Sequence, residues 1–234
     1  MALVVLAPIS DEYGPFLYHF TKRGKLDDVI RPPNALILER NGTVDFASNN
    51  SPIYNSSQIP NPENPNSSRN NNQGFKGLTY NTYAAINDGA LDKAKNQYTR
   101  LLEYKINNKG CRQNSNRKPE ASEILFLGNG RFLVLSRDSS ASRSADRTES
   151  VYRNADIFSI CDATNINGKF DDYTSSFAPS GVLSPKVKAA EYCPFINFNI
   201  QTKLNKFSII NGGSDNDAKG LLNEKWEGLS LVPV

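Results

Sequence analysis

Histidine is almost missing from this chain, with His19 the single one among 234 residues. Multi-histidine metal sites, and any mechanism that passes protons between two imidazoles, are thereby excluded. Cysteine is nearly as scarce: Cys111, Cys161 and Cys193 are odd in number and have no C-x-x-C spacing, so neither a zinc knuckle nor a dithiol redox motif is present. One disulfide plus a free thiol is what the three can build within the chain. Long apolar runs are lacking too. Met1 to Ser10 is the longest uncharged apolar stretch, about half of the ~20 residues a spanning helix needs, so no membrane span is expected. Neither sign of charge dominates: 27 Lys+Arg stand against 24 Asp+Glu for a net charge of +3, and no nucleic-acid surface follows from that balance.

Asn, Ser, Gly, Pro, Tyr and Phe are abundant instead, which favours short strands joined by turns over a helical bundle. Phe16 to Phe20 reads as a strand closing on a polar turn, with Leu26 to Ile30 returning and Pro32-Pro33 stopping the ladder. Tyr98 to Ile106 alternates with period two, as a strand with one wet face does. Glu123 to Leu127, the turn Gly128-Asn129-Gly130, and Phe132 to Ser136 make the clearest hairpin, and Asp156 to Cys161 continues as a third strand beside it. Phe195 to Ile200 and Phe207 to Ile210 are read as two more strands, and Ala84 to Lys95 as the one helix, weakened by Gly89. Asn49 to Gln73, rich in Asn, Ser and Pro, is expected to be a long exposed or disordered loop without a ladder. Strands at intervals of roughly 10 residues mark an all-β sandwich, barrel or propeller, organised as a single domain over residues 1–234.

Asn41-Gly42-Thr43, Asn49-Asn50-Ser51, Asn55-Ser56-Ser57 and Asn66-Ser67-Ser68 are N-glycosylation acceptor sequences. Four of them at Asn41, Asn49, Asn55 and Asn66 point to the secretory pathway or the cell exterior. Ala2 to Ile9 is apolar but lacks a basic flank and a small-residue cleavage site, so it reads as the tail of a buried strand, with the true start expected upstream.

An internal echo favours radial repetition. Phe75-Lys76-Gly77-Leu78-Thr79 and Trp226-Glu227-Gly228-Leu229-Ser230 share the order aromatic, charged, Gly, Leu, hydroxyl, and Glu123-Ile124-Leu125 leading into Gly130-Arg131-Phe132 is a weaker relative. Such recurrence at successive strand starts is the pattern of propeller blades, whose first strands line a central channel.

The run from Ala121 through Glu123, Gly128-Asn129-Gly130 and Phe132 to Arg137-Asp138 resembles the phytase-like domain family, known also for an esterase-like activity of phytase. Tyr152-Arg153-Asn154-Ala155-Asp156-Ile157, Tyr192-Cys193-Pro194-Phe195 and Leu221 to Leu229 extend the likeness, which is strongest from Glu120 onward and nearest to the fungal branch. The resemblance implies a β-propeller-like fold and hydrolysis of a phosphoester or ester. Three departures accompany it. Lys76 stands where the family has an acidic residue, the stretches 78–98 and 106–122 look short, and the chain stops just after Glu227-Gly228-Leu229, so an incomplete propeller is expected.

A phosphorylated small molecule would be a dense anion, and a site without histidine would use Ca2+ to offset its charge and activate water. On the matched motifs Glu123, Asp138, Asp156 and Glu227 are the candidate metal ligands, with Arg137 and Lys76 as holders of phosphate oxygens. Each of these charges also has a plain architectural role open to it at a strand end. Asp215-Asn216-Asp217-Ala218-Lys219-Gly220 begins like a calcium loop but fails at Lys219 and Trp226, and no G-x-S-x-G elbow or Walker-type loop is present. The alternative to a hydrolase is a non-catalytic propeller that binds a ligand or partner in the same charged channel. Because Lys76 brings a cation to an acidic position, Ca2+ binding is expected to be weak or nil and to rise on Lys76→Glu.

Overall fold

Chain order and sheet order coincide in this protein. The computed structural model describes residues 7–21, 23–48, 57–68, 74–79, 83–87, 98–103, 115–116, 120–138, 141, 147–213, 215, 218–223 and 226–232. β1 (Ala7–Ser10), β2 (Leu17–Phe20) and β3 (Leu26–Ile30) form one antiparallel sheet, and β4 (Glu39–Arg40) with β5 (Thr43–Val44) a small hairpin. β6 (Phe75–Thr79), β7 (Tyr83–Asn87), β8 (Tyr98–Glu103) and β9 (Ser115–Asn116) form a four-stranded meander. β10 (Glu120–Gly128), β11 (Arg131–Arg137), β12 (Arg153–Ser159) and β13 (Glu191–Asn197) form a second. The class is all-β, and the one α-helix among the described residues, Gln201–Leu204, is four residues long. A closed ring of blades is not present among them.

Local chemistry explains the sharpest turns. Asn129 and Gly130 both have positive φ, 50° and 68°, so the two-residue link between β10 and β11 has the twist that a tight hairpin needs. Asn41-Gly42 repeats this at φ 53° and 74° between β4 and β5. β11 and β12 are paired without a break from Arg131↔Ser159 to Arg137↔Arg153, which sets Phe132–Ser136 and the strand of Asp156 side by side as expected.

Alternation sends Phe132, Val134 and Phe158 to one face, where with Ile124, Ile160 and Ala190 they make the main core and receive Leu101 from β8. Phe132 stacks on Phe158 with centroids 4.9 Å apart. Each such buried side chain contributes about 1.5–3 kcal/mol. Leu17, Leu36 and Phe75 form a second core that ties the first sheet to β6. A third, Phe177 with Ala178 and Val187, fills the long connection between β12 and β13.

β6 lies directly on β10. A Cβ at Gly77 would stand 2.6 Å from Ile124 Cγ2 and 2.7 Å from Ile124 N, so only glycine permits this backbone approach. The echoed Gly228 has open space around it, and 226–230 forms no strand, so the two sequence copies are not built alike.

Several expectations are corrected. Residues 84–87 of the expected helix are strand β7, held between β6 and β8, because the two ladders outweigh alanine's helical preference; 88–95 lie outside the described residues. Phe207–Ile210 is not a strand: Asn205–Phe207 is a 3-10 turn, Ser208 takes φ 56°, and Ile210 bridges only Leu221. A short apolar run carries no period by which strand and helical turn can be told apart. The strand expected at Phe195–Ile200 begins at Glu191 and ends at Asn197, whose Oδ1 accepts the Asn199 N–H. Tyr98–Ile106 is strand to Glu103, with 104–106 outside the described residues. The Asn49–Gln73 loop is anchored over 57–68: Ser67 bridges Glu39, Ser68 Oγ donates to Ala35 O at 2.6 Å, and both serines are buried. Arg40, also buried, donates to Pro62 O and Glu63 O, so polar bonds order a segment that apolar burial could not.

Candidate functional site

Two buried polar clusters occupy opposite faces of β11–β12. The first is a pair of guanidinium groups. Arg137 and Arg153 face each other across the ladder and are 4% and 1% exposed. A bulge creates the setting: the register slips between Ala121 and Glu123, which leaves Ser122 over, and its Oγ accepts from Arg137 Nε at 3.1 Å. Arg137 Nη2 donates to Glu227 Oε1 at 3.1 Å, and the Glu227 side chain is 56% exposed. Arg153 donates to Asn199 Oδ1 at 3.1 Å and lies 5.4 Å from the ring of Trp226, which itself packs on Phe198. Residues 226 and 227 thus roof both arginines from a segment that has no ladder. Burial lowers the Arg153 pKa, the Asp138 charge opposes that shift, and the Arg137 charge adds to it. Arginine nonetheless stays protonated at physiological pH.

The second cluster centres on Asp156, which is fully buried. Tyr152 and Tyr192 hydroxyls both donate to its Oδ2 at 2.5 Å, and Asn154 Nδ2 donates to Oδ1 at 3.2 Å. Burial first, then Asp156, pushes the Tyr192 hydroxyl well above the usual tyrosine range. Since the Tyr192 proton is directed to Asp156, Ser136 Oγ must be the donor in its 3.0 Å contact with Tyr192. Ser136 therefore has no base beside it, and this trio pins three strands together instead of activating a nucleophile.

The remaining sequence candidates disperse. Asp138 accepts from Ser150 Oγ at 2.6 Å, Arg147 at 2.8 Å and the Val151 N–H at 2.9 Å, closing the loop after β11. Glu123 accepts the Ile124 N–H, and burial raises its pKa. Lys76 is the extra residue of a bulge in β6, and its ammonium pairs with Glu12. Asn41 and Asn66 are exposed neighbours, whereas Asn49 and Asn55 lie outside the described residues. Among the described residues no three His, Cys, Asp or Glu side chains come together to hold a metal ion. The four expected ligands do not share a Ca2+ site there: Glu123 accepts a backbone N–H, Asp138 closes a loop, Asp156 takes two tyrosines and Glu227 pairs with Arg137. No helix among the described residues is long and apolar enough to cross a membrane.

Arg153, Trp226, Tyr152, Tyr192 and Glu12 were not singled out by role in the sequence. One signal was available: alternation places Arg153 on the same side as Ala155 and Ile157, an arginine on an apolar face.

An all-β domain of consecutive meanders with a roofed guanidinium pair is what fold and side chains define. The chain belongs to the phytase-like family, described as "Esterase-like activity of phytase", whose family model matches residues 7–170. Both arginines fall inside the match, and Trp226 and Glu227 fall beyond it. An "Uncharacterized secreted protein" of the fungus Arthroderma benhamiae is 40% identical over 259 aligned positions, which cover 97% of this chain and 50% of the relative. The chain thus spans about half the length of that curated relative. The fungal relative agrees with the fungal branch read from the sequence. No solved structure matches the chain.

Proposed function

We propose that this domain is a secreted, phytase-like anion-binding unit that takes the phosphoryl group of a phosphorylated small molecule between Arg137 and Arg153. The observation that carries the reading is the carboxylate of Glu227 on Arg137, with the second guanidinium directly across the ladder. Two forked donors side by side match the several oxygens of a phosphoryl dianion. Blade-like assembly supports the reading. Each sheet is built from consecutive strands, and the first strands of the three larger sheets touch in turn, β1 on β6 and β6 on β10, as the inner strands of a propeller do. The relative's printed description as secreted supports the compartment.

Phosphoester hydrolysis is the reaction the family description suggests. A second reading, binding without turnover, is favoured by the carboxylates Asp138 and Asp156, whose oxygens are already taken by neighbouring donors. Calorimetric titration with inorganic phosphate and with inositol hexakisphosphate, alongside assay of phosphate release, decides between them. Binding lost in Arg137→Gln and tightened several-fold in Glu227→Gln is expected, because the glutamine removes a competing charge from an exposed position. Equal phosphate affinity in wild type and Glu227→Gln would overturn the site.

A further inference from the structure

The two described acceptor asparagines touch each other. Asn41 N–H donates to Asn66 Oδ1 at 3.0 Å, and Asn66 Nδ2 lies 3.5 Å from Asn41 Oδ1. They are 25 residues apart in sequence and meet because Asn66 N–H donates to Glu39 O and Ser67 bridges Glu39. Nδ2 is the atom that carries an N-linked sugar, and the hydroxyl two residues further on completes the acceptor.

Their hydroxyls fare differently on folding. Asn41-Gly42-Thr43 is an exposed hairpin turn throughout. Asn66 is exposed, but Ser68 is 0% exposed and its Oγ is bonded to Ala35 O at 2.6 Å. Once the 66–68 segment docks on β4, the Asn41 acceptor remains open and the Asn66 acceptor has lost its hydroxyl to the interior.

We propose that Asn41 and Asn66 are alternative acceptors for one N-linked glycan, so that the folded protein carries a sugar on either and not on both. A glycan on Asn41 leaves the docked pair intact and projects from the turn. A glycan on Asn66 roots within 3.5 Å of the Asn41 side chain and fills the space beside it. With both in place, two sugars would emerge from amides joined by hydrogen bonds. Relief of that crowding would pull Asn66 off the hairpin, and with it the Glu39 bridge and the buried Ser68 contact. Chains modified twice before folding therefore fail to dock this segment.

The inference needs only passage through the secretory lumen and stands apart from the arginine site. The test is glycopeptide mapping of the protein secreted by a fungal host behind a heterologous leader, with Asn49→Gln and Asn55→Gln present so that only the pair is read. Expected is occupancy at Asn41 on most secreted molecules, at Asn66 on few, and no molecule with both. Asn41→Gln is expected to raise Asn66 occupancy several-fold, because singly modified chains then pass. Secreted molecules carrying both sugars with an unchanged Tm would overturn the proposal, and so would a secreted protein bearing neither.

Discussion

Glu123 shows what a single carboxyl can do to the stability of a strand. It accepts the Ile124 N–H, yet burial is the larger influence and raises its pKa above the ordinary glutamate value. The folded state then binds the proton more tightly than the unfolded chain does, so the contribution is present below the ordinary pKa and is lost as pH rises through the raised one. Glu123→Gln, which keeps an acceptor and removes the charge, is expected to lift Tm at pH 7 and to leave it nearly unchanged near pH 3.5. Thermal unfolding of both proteins across that range checks it; a Tm difference that is the same at both ends counts against a titrating Glu123. The residue thus reads as a charge held at a cost inside β10, just past the bulge at Ser122.

Strands β11, β12 and β13 are fastened by one carboxylate in addition to their ladders. Ser136, Asp156 and Tyr192 come from the three strands in turn, and Tyr152 from the residue before β12. Tyr192→Phe removes a donor from a fully buried acceptor and is expected to cost about 1–3 kcal/mol, read by denaturant unfolding. A loss near zero would show that Tyr152 and Asn154 satisfy the carboxylate without the Tyr192 hydroxyl. How far these elements are legible in sequence follows from how local their determinants are. The β10–β11 hairpin was plain because Asn129-Gly130 carries its turn chemistry within two residues. β7 is not legible locally, because its alanines favour helix and its ladder partners lie elsewhere in the chain. The arginine pair stayed hidden for the same reason. It needs the register Arg137↔Arg153, a bulge at Ser122, and a carboxylate 90 residues away. The motifs point to Arg137 for phosphate and to Glu227 for metal, whereas their pairing with each other is a property of the fold alone.

On the scale of the whole molecule, the Lys76–Glu12 pair joins the connection after β1 to β6 and so helps to hold two sheets in contact. Lys76→Glu puts two carboxylates where an ion pair stood, and Tm without divalent ions is expected to fall. Millimolar Ca2+ is expected to restore part of the loss in the variant and to leave wild type unmoved, since a cation held only by the folded state stabilises it by mass action. Calorimetric scans with and without Ca2+ read this directly; equal responses in the two proteins would show that position 76 does not govern cation binding. At the far margin of the second meander stands β13, with Phe195 62% and Ile196 41% exposed. Pro194 lacks an N–H, and the slip opposite Ala155/Asp156 leaves Phe195 out of register. A foreign strand laid against this margin meets a gap in the row of donors followed at once by a kink. This exposed apolar margin is therefore also a poor template for fibril growth, because Pro194 and the slip beside Phe195 break the row of donors a growing sheet needs.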